Sequence, residues 1–344
     1  MPEPIEQLIQ HDVELMPYNT MKISARARSF AFVSSVDELT RLLEWARKEE
    51  QNVLVLGGGS NILLTEDYNG LVLLMDIKGR EVAKQNAQHI WLRIGAGENW
   101  HQTVRYAVEK GWGGIENLSL IPGRAGAAPI QNIGAYGVEL ADIFESLQAI
   151  DIRTGNERIF RQEECRFGYR DSIFKHKLKG KYIITRLTLR LDKNPKINTS
   201  YGAISKELNK RGISDPGIQD ISDIVIDIRN SKLPDPVKIP NTGSFFKNPI
   251  IRTTEYDRLV QQFPHIPGYS VSTGKTKVPA GWLIEEAGWK GKRKGSTGTY
   301  RQQALVIVNY GGATADEILE LAAEIKSSVK EQFGIELVPE VNII

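Results

Sequence analysis

The chain has 344 residues, 41% hydrophobic and 25% charged, with 44 basic against 42 acidic side chains. Such a chain is too long for one small core, has ordinary globular composition, and carries no whole-chain charge bias toward nucleic acid. Its single cysteine, Cys165, excludes an intramolecular disulfide, and its five dispersed histidines (His11, His89, His101, His176, His265) lack the spacing of a metal site.

The N-terminus, M-P-E-P-I-E-Q-L-I-Q, has no basic region ahead of an apolar run, and no stretch reaches membrane-spanning length. A soluble, cytoplasmic protein is the expectation. In chain order, Ser29 to Val33 reads as a strand. Ser35 and Glu38 then form a capping box for a helix that buries Leu39, Leu42, Leu43 and Ala46. Val53 to Leu56 predicts a second strand, ending in Gly57-Gly58-Gly59-Ser60-Asn61, and Leu71 to Met75 a third, ending at Asp76. A strand, a glycine turn and a following acid are the ingredients of a dinucleotide fold. Residues 60–70 are too few for a helical crossover, so Asp76 reads as a strand-end residue, although the glycine turn could still hold phosphate.

Trp91 to Ile94 predicts a strand, Gly95-Ala96-Gly97 a turn, and Trp100 to Lys110 a helix stopped by Gly111. The next segment, Ile121 to Glu139, reads I-P-G-R-A-G-A-A-P-I-Q-N-I-G-A-Y-G-V-E. Its small residues let backbone N–H groups approach a bulky anion, and Pro122 and Pro129 stiffen it. Gln131 and Asn132 add amides suited to a polar ring edge. On composition alone, a cofactor cradle and a tight structural turn are equal readings.

Leu147 to Arg161 predicts a hairpin turning at Thr154-Gly155-Asn156, and Lys181 to Leu191 a half-buried strand. Ile221, Ile224, Val225 and Ile228 fall at helical spacing ahead of K-L-P-D-P (Lys232 to Pro236), a rigid linker. Beyond it come a helix with Leu259, Val260 and Phe263, a short one from Pro279 to Gly288, and a strand at Leu305 to Val308. Thr314 and Glu317 box an amphipathic helix closed by Gly334, and an apolar strand spans Ile335 to Ile344. G-Y-S-V-S-T-G-K-T (Gly268 to Thr276) misses the P-loop spacing by one residue and lacks the preceding strand. Lys290, Lys292, Arg293 and Lys294 read as a solvated loop, without the interleaved aromatics that stack bases.

Three further motifs stay ambiguous on residues alone. In F-G-Y-R-D-S (Phe167 to Ser172), Arg170 and Asp171 read first as a surface ion pair. N-T-G-S-F-F-K-N-P (Asn241 to Pro249) is compatible with a plain turn, since Ser244 has no nucleophile-elbow frame. Glu340 is a lone acid in an apolar terminal strand, either at an exposed edge or held for a purpose.

Together these motifs resemble the UDP-N-acetylenolpyruvoylglucosamine reductases of bacterial peptidoglycan synthesis, in the subgroup with a substrate-clamping tyrosine loop. The resemblance spans residues 57–61, 121–139, 167–172, 241–249 and 338–341, in the family's order. Arg124 and Ala125 depart from it, standing where smaller polar or aliphatic residues are expected. The resemblance implies an α+β protein: a two-subdomain FAD-binding unit of the vanillyl-alcohol-oxidase/PCMH type (residues 1–80 and 81–233) and an α+β substrate-binding domain (234–344), whose terminal strand returns to the active site. It implies FAD contacts from Gly57, Gly58, Gly59, Ser60, Asn61, Pro122, Gly123, Gly126, Ala127, Gln131, Asn132, Gly134, Ala135, Tyr136 and Gly137. It makes NADPH the hydride-donating co-substrate. Arg170 and Glu340 would stabilise charge on the enolpyruvyl substrate, with Glu340 in its protonated form, and Ser244 would donate a proton. Tyr169, Tyr201, Lys232, Asn248, Tyr269 and Gln303 would contact the UDP-sugar. A monomer without nucleic-acid or membrane partners is expected. An alcohol or aldonolactone oxidase on a similar fold and a non-catalytic UDP-sugar-binding protein are the alternatives. The first gives no reason for N-T-G-S-F-F-K-N-P, and the second does not require Arg170, Ser244 and Glu340 together.

Overall fold

A computed structural model describes residues 4–344, so Met1, Pro2 and Glu3 of the N-terminal stretch lie outside the described residues. The chain divides into two units. The first takes the residues up to Val13, Arg26–Gly59 and Asp67–Arg229; the second takes Glu14–Ala25, Ser60–Glu66 and Asn230–Ile344.

The first unit is built on two larger sheets. In one, the strands Arg26–Val33, Tyr68–Met75 and Val53–Leu56 run parallel, with Phe30 and Leu54 both in register with Val72. The central strand is apolar without alternation (Leu71, Val72 and Leu73 are all buried), as a strand covered on both faces must be. The helix Val36–Lys48 buries the predicted Leu39, Leu42, Leu43 and Ala46. Its capping box is only half formed. Ser35 Oγ accepts from Glu38 N at 3.1 Å, but the Glu38 carboxylate turns to Ser34, accepting from its N and Oγ at 2.8 Å, because Ser34 offers two donors. Val53–Leu56 and Tyr68–Met75 pair in parallel with no helix between them. The length argument against a helical crossover therefore holds. The chain manages without one because Ser60–Glu66 leaves for the second unit, where Ile62–Leu63 pairs in parallel with Asn342–Ile343.

The second sheet is antiparallel, in the order Glu157–Arg161, Phe144–Asp151, Tyr182–Asp192, His89–Gly95, Arg80–Gln85. Gly155 turns the predicted hairpin at φ +75°. Leu187, Leu189 and Leu191 point into a core shared with Ile90, Leu92, Ile94 and the helix Trp100–Glu109, through Trp100, Val104 and Ala107. Asn99 caps that helix by accepting from Gln102 N at 2.9 Å, a signal the sequence reading passed over. A satellite core joins Ile204 and Leu208 of the unpredicted helix Gly202–Arg211 to Ile221, Ile224, Val225 and Ile228 of the helix Ile218–Lys232.

In the second unit an antiparallel sheet is ordered Asn241–Ser244, Gln303–Asn309, Thr297–Tyr300, Arg293–Lys294. The helix Ala315–Phe333 has both halves of its capping box, at 3.2 Å to Thr314 Oγ1 and 2.8 Å to the Glu317 carboxylate, and it ends at Gly334 with φ +68°. It buries Ile318, Leu321, Ala322, Ile325, Val329 and Phe333 against Leu283, Ile284, Ile307 and Leu337. The shorter helices Thr253–Gln262 and Ala280–Glu286 also fall where predicted. Gly268 to Thr276 is no phosphate loop. Tyr269–Ser272 and Lys275–Lys277 form a hairpin around Gly274. The basic run is neutralised locally: Lys290 pairs with Glu285 at 2.7 Å, Lys294 with Glu324, and Lys292 covers Trp289. The terminal strand departs from expectation. Pro339 lacks an N–H, so the extended segment pairs in two pieces, first beside residues 245–247 and then at Asn342–Ile343.

Cys165 is fully buried in the first unit, and burial pushes its thiol up to about 12, helped by Glu164 and Glu163. A thiolate is the reactive form, so iodoacetamide at about pH 8 should leave the folded protein unmodified and label it only after denaturation. Mass spectrometry before and after denaturant reads this directly; fast labelling of the folded chain would contradict the packing around Cys165.

Candidate functional site

Three glycine turns of the first unit meet backbone to backbone. A Cβ built on Gly58 would lie 2.9 Å from Gly123 Cα, and one on Gly126 would lie 2.6 Å from Ala96 Cβ. Gly97 is equally tight, with a Cβ only 2.4 Å from Asp76 Cα. Hydrogen bonds close the stack: Gly126 N donates to Ala96 O at 2.9 Å, Ala125 N to Glu98 O at 2.8 Å and Trp100 N to Gly123 O at 3.1 Å. Gly123 at φ +111° and Gly59 at φ +59° need glycine for the turn itself. Ala125–Gln131 continues as a 3-10 helix, leaving Pro122 and Ala127 exposed and Ala128 and Pro129 buried. Gly134–Ala135 and Val138–Glu139 form a tight hairpin whose turn residues, Tyr136 and Gly137, both have positive φ (+51° and +83°).

The F-G-Y-R-D-S turn is stitched to this segment. Ser172 Oγ donates to Ile130 O at 2.6 Å, Asn132 Nδ2 to Gly168 O at 3.0 Å, and Arg170 Nη2 to Gly134 O at 2.5 Å. Asp171 instead faces His176 at 2.8 Å, so the structure gives Arg170 and Asp171 different partners in place of the surface ion pair. Asn132 is fully buried and is spent on structure, holding Glu139 Oε2 and Ala141 N as well. Arg170, Asn132 and Tyr136 all occupy the left-handed region (φ +51°, +43° and +51°), a concentration of backbone strain that marks functional sites.

Arg229 is the residue that sequence reasoning missed. Burial drives its guanidinium below the usual arginine range; Tyr136 hydrogen-bonds it, and Arg170 is a neighbouring like charge. Its Nε is buried with no hydrogen-bond partner among the described residues. Two guanidiniums and a phenol make a site for an electron-rich group. The signal was available: Arg229 follows Val225 by one helical turn, on the apolar face of its helix.

In the second unit, Ser244 and Glu340 lie on neighbouring extended segments. Ser244 pairs with Val306, Phe245 N donates to Leu305 O at 2.9 Å, and on the other side Glu340 N donates to Phe245 O at 2.9 Å. Phe246 bridges Pro339, and Lys247 N donates to Val338 O at 2.9 Å. Phe245 and Phe246 anchor the segment in the core, their rings edge to face at 5.2 Å, leaving Ser244, Lys247 and Glu340 half-buried. Ser60 and Asn61 belong to this unit. Asn61 holds the terminal segment, its Nδ2 3.4 Å from Glu340 O and its carbonyl accepting from Asn342 N and Nδ2.

The expected substrate residues divide the same way. Tyr169 and Tyr201 lie in the first unit, with the Arg170 guanidinium 5.6 Å from the Tyr169 ring centre and Tyr201 edge-on to Tyr136 at 5.1 Å. Lys232, Asn248, Tyr269 and Gln303 lie in the second. Lys232 ends its helix exposed, and Tyr269 is exposed on the hairpin. Asn248 Oδ1 accepts from Ala280 N at 2.9 Å, so its amide N–H2 is the end left for a ligand. Gln303 Oε1 lies 2.7 Å from where a Gly281 Cβ would stand, which ties the Gln303 side chain to glycine at that position.

Comparison with known proteins decides the family. A UDP-N-acetylenolpyruvoylglucosamine reductase of Flavobacterium johnsoniae is 49% identical over 337 residues, covering 98% of this chain and 99% of that one. The chain belongs to the UDP-N-acetylenolpyruvoylglucosamine reductase family. Relatives of the same name from Amoebophilus asiaticus and Pseudomonas aeruginosa are 51% and 46% identical, covering 98% and 97% of this chain and 99% and 98% of theirs. The family's C-terminal domain profile matches residues 235–344, and that of an FAD-binding domain matches 27–161. The crystal structure of the Thermus caldophilus reductase superposes with a TM-score of 0.67 at 25% identity, covering 97% of this chain and 98% of that one. The α+β class, with an FAD-binding domain ahead of the family's C-terminal domain, is thus the fold found.

The first unit's residues suit an FAD. Turns without side chains let a diphosphate approach the main chain closely, and the Arg170–Arg229–Tyr136 cluster suits the electron-rich edge of a flavin. Gly58→Ala would push a methyl group into Gly123. Such overpacking costs about 1–3 kcal/mol. The variant should purify folded by circular dichroism yet retain less flavin; full flavin content would show that the Gly58–Gly123 approach does not matter.

Proposed function

We propose that this chain is the NADPH-dependent flavoenzyme that reduces UDP-N-acetyl-3-O-(1-carboxyvinyl)-glucosamine to UDP-N-acetylmuramate, a step of peptidoglycan precursor synthesis. One observation carries the reading: near-full-length identity to reductases of that name, in a chain that retains every motif of the resemblance. The substrate domain begins at residue 234, and residues 1–80 and 81–233 are the two subdomains around the cofactor. Both small molecules belong to the cytoplasm, where we place the enzyme as a monomer. Among the described residues no helix is long and apolar enough to cross a membrane.

FAD held by the glycine turns would supply the hydride chemistry that links NADPH to the terminal carbon of the enolpyruvyl group. The chain's own residues manage the charge and the proton. Negative charge builds on the carbon conjugated to the substrate carboxylate. Arg170 is suited to stabilise it, because a guanidinium stays charged and offers fixed donors. Its bond to Gly134 O supports this role by fixing the direction of the guanidinium. Glu340, protonated, would donate a hydrogen bond to the same developing enolate. Ser244 would then deliver a proton to that same carbon, completing the lactyl ether. NADPH supplies two electrons and one hydrogen, and Ser244 relays the other from solvent.

Tyr201, Lys232 and Asn248 would clamp the UDP diphosphate, with Tyr169, Tyr269 and Gln303 as further contacts. Gly57–Asn61 and the Pro122–Gly137 residues named above would hold FAD, except Asn132, whose buried amide braces the segment from behind.

Ser244→Ala separates the half-reactions. It removes one oxygen beside a well-anchored pair of phenylalanines, so fold and flavin content should persist. In rapid mixing, reduction by NADPH should keep its rate, while reoxidation by the enolpyruvyl substrate should slow by about 10²–10⁴-fold, the usual loss for a positioned general acid. Equal slowing of both phases would make Ser244 structural, and no slowing would place the proton donor elsewhere.

A further inference from the structure

Arg124 stands one residue beyond Gly123 of the glycine stack, where an arginine would be well placed to bind phosphate itself. Its geometry sends it elsewhere. Arg124 Nη1 donates to Met75 O and, at 2.6 Å, to Asp76 Oδ1, at the end of the central parallel strand. The same carboxylate oxygen takes Lys78 Nζ at 2.9 Å, and that ammonium also donates to Gly97 O at 2.6 Å. The Arg124 side chain is 22% exposed, so the pair is screened less than an open surface bridge. Its backbone bridges Asn99, and its Cβ lies 3.6 Å from where a Gly57 Cβ would stand. Asp76 is thus the acceptor onto which two cations from two turns converge.

We propose that Arg124 and Asp76 are positioning residues for the cofactor's diphosphate. Asp76 draws the guanidinium away from the cradle and locks the Gly123 turn to the strand end, so that the Gly57–Gly59 and Gly123–Gly126 turns keep their spacing. The proposal rests on the reading of these turns as the FAD site. The charges give it a direction. With Asp76 neutral, Arg124 and Lys78 lose their shared counter-charge and repel, and the turn loosens.

The test is titration of flavin-free, full-length protein with FAD and with riboflavin, which lacks the diphosphate, followed by flavin fluorescence. Arg124→Gln and Asp76→Asn should each weaken FAD by about tenfold, the scale of one lost charge-assisted hydrogen bond. The double variant should be no worse than either single one, since both break one interaction. Arg124→Lys, reaching one acceptor of the two, should fall between, and riboflavin affinity should not change. FAD affinity that is unchanged or tighter in the single variants would overturn the proposal, as would additive losses. Parallel loss of riboflavin would also overturn it, showing a general scaffold role. Failure of the unsubstituted protein to bind FAD would instead overturn the cofactor reading, and the proposal with it.

Discussion

The first unit depends on one constraint: three turns approach so closely that only hydrogen fits between their backbones. Gly58 against Gly123, Gly126 against Ala96 and Gly97 against Asp76 leave no room for a Cβ. Where such turns keep side chains out of the way, an anion can approach the main chain and be held by dipoles that need no side-chain ordering on binding. The conformational cost of glycine is met by the sheets on which the turns sit. The central strand Tyr68–Met75 is buried along most of its length, and the helix Trp100–Glu109 fixes the segment after Gly97.

The second unit solves a different problem. Its Ser244 and Glu340 are held on neighbouring extended segments. Main-chain pairing does this: the Ser244–Lys247 segment lies between the strand Gln303–Asn309 and the extended residues 338–340, with two buried phenylalanines setting its depth. The positions of Ser244 and Glu340 are fixed by backbone hydrogen bonds and core packing.

Much of this was legible in the sequence where local rules suffice. Amphipathic helices with caps, such as Ala315–Phe333, and the hairpin at Gly155 appeared where periodicity and turn chemistry placed them. The rest needed tertiary information. The parallel pairing of Val53–Leu56 with Tyr68–Met75 has no local signature, because its connection runs through the other unit. Arg229 was hidden because an arginine on an apolar helix face is usually explained by its long aliphatic stem. Asp76 was read as a strand end, which it is, but its partner lies 48 residues away. Arg124, the departure from the family pattern, finds its explanation only in that pair.

The proposed function requires this protein to pass hydride from NADPH to an enolpyruvyl ether. The flavin-loaded protein should be bleached by NADPH under anaerobic conditions and then mixed with UDP-N-acetyl-3-O-(1-carboxyvinyl)-glucosamine while flavin absorbance is followed. Prompt, stoichiometric return of the oxidised flavin spectrum, with UDP-N-acetylmuramate as product, is the predicted result. A flavin that stays reduced with the ether and is reoxidised only when oxygen is admitted would contradict it.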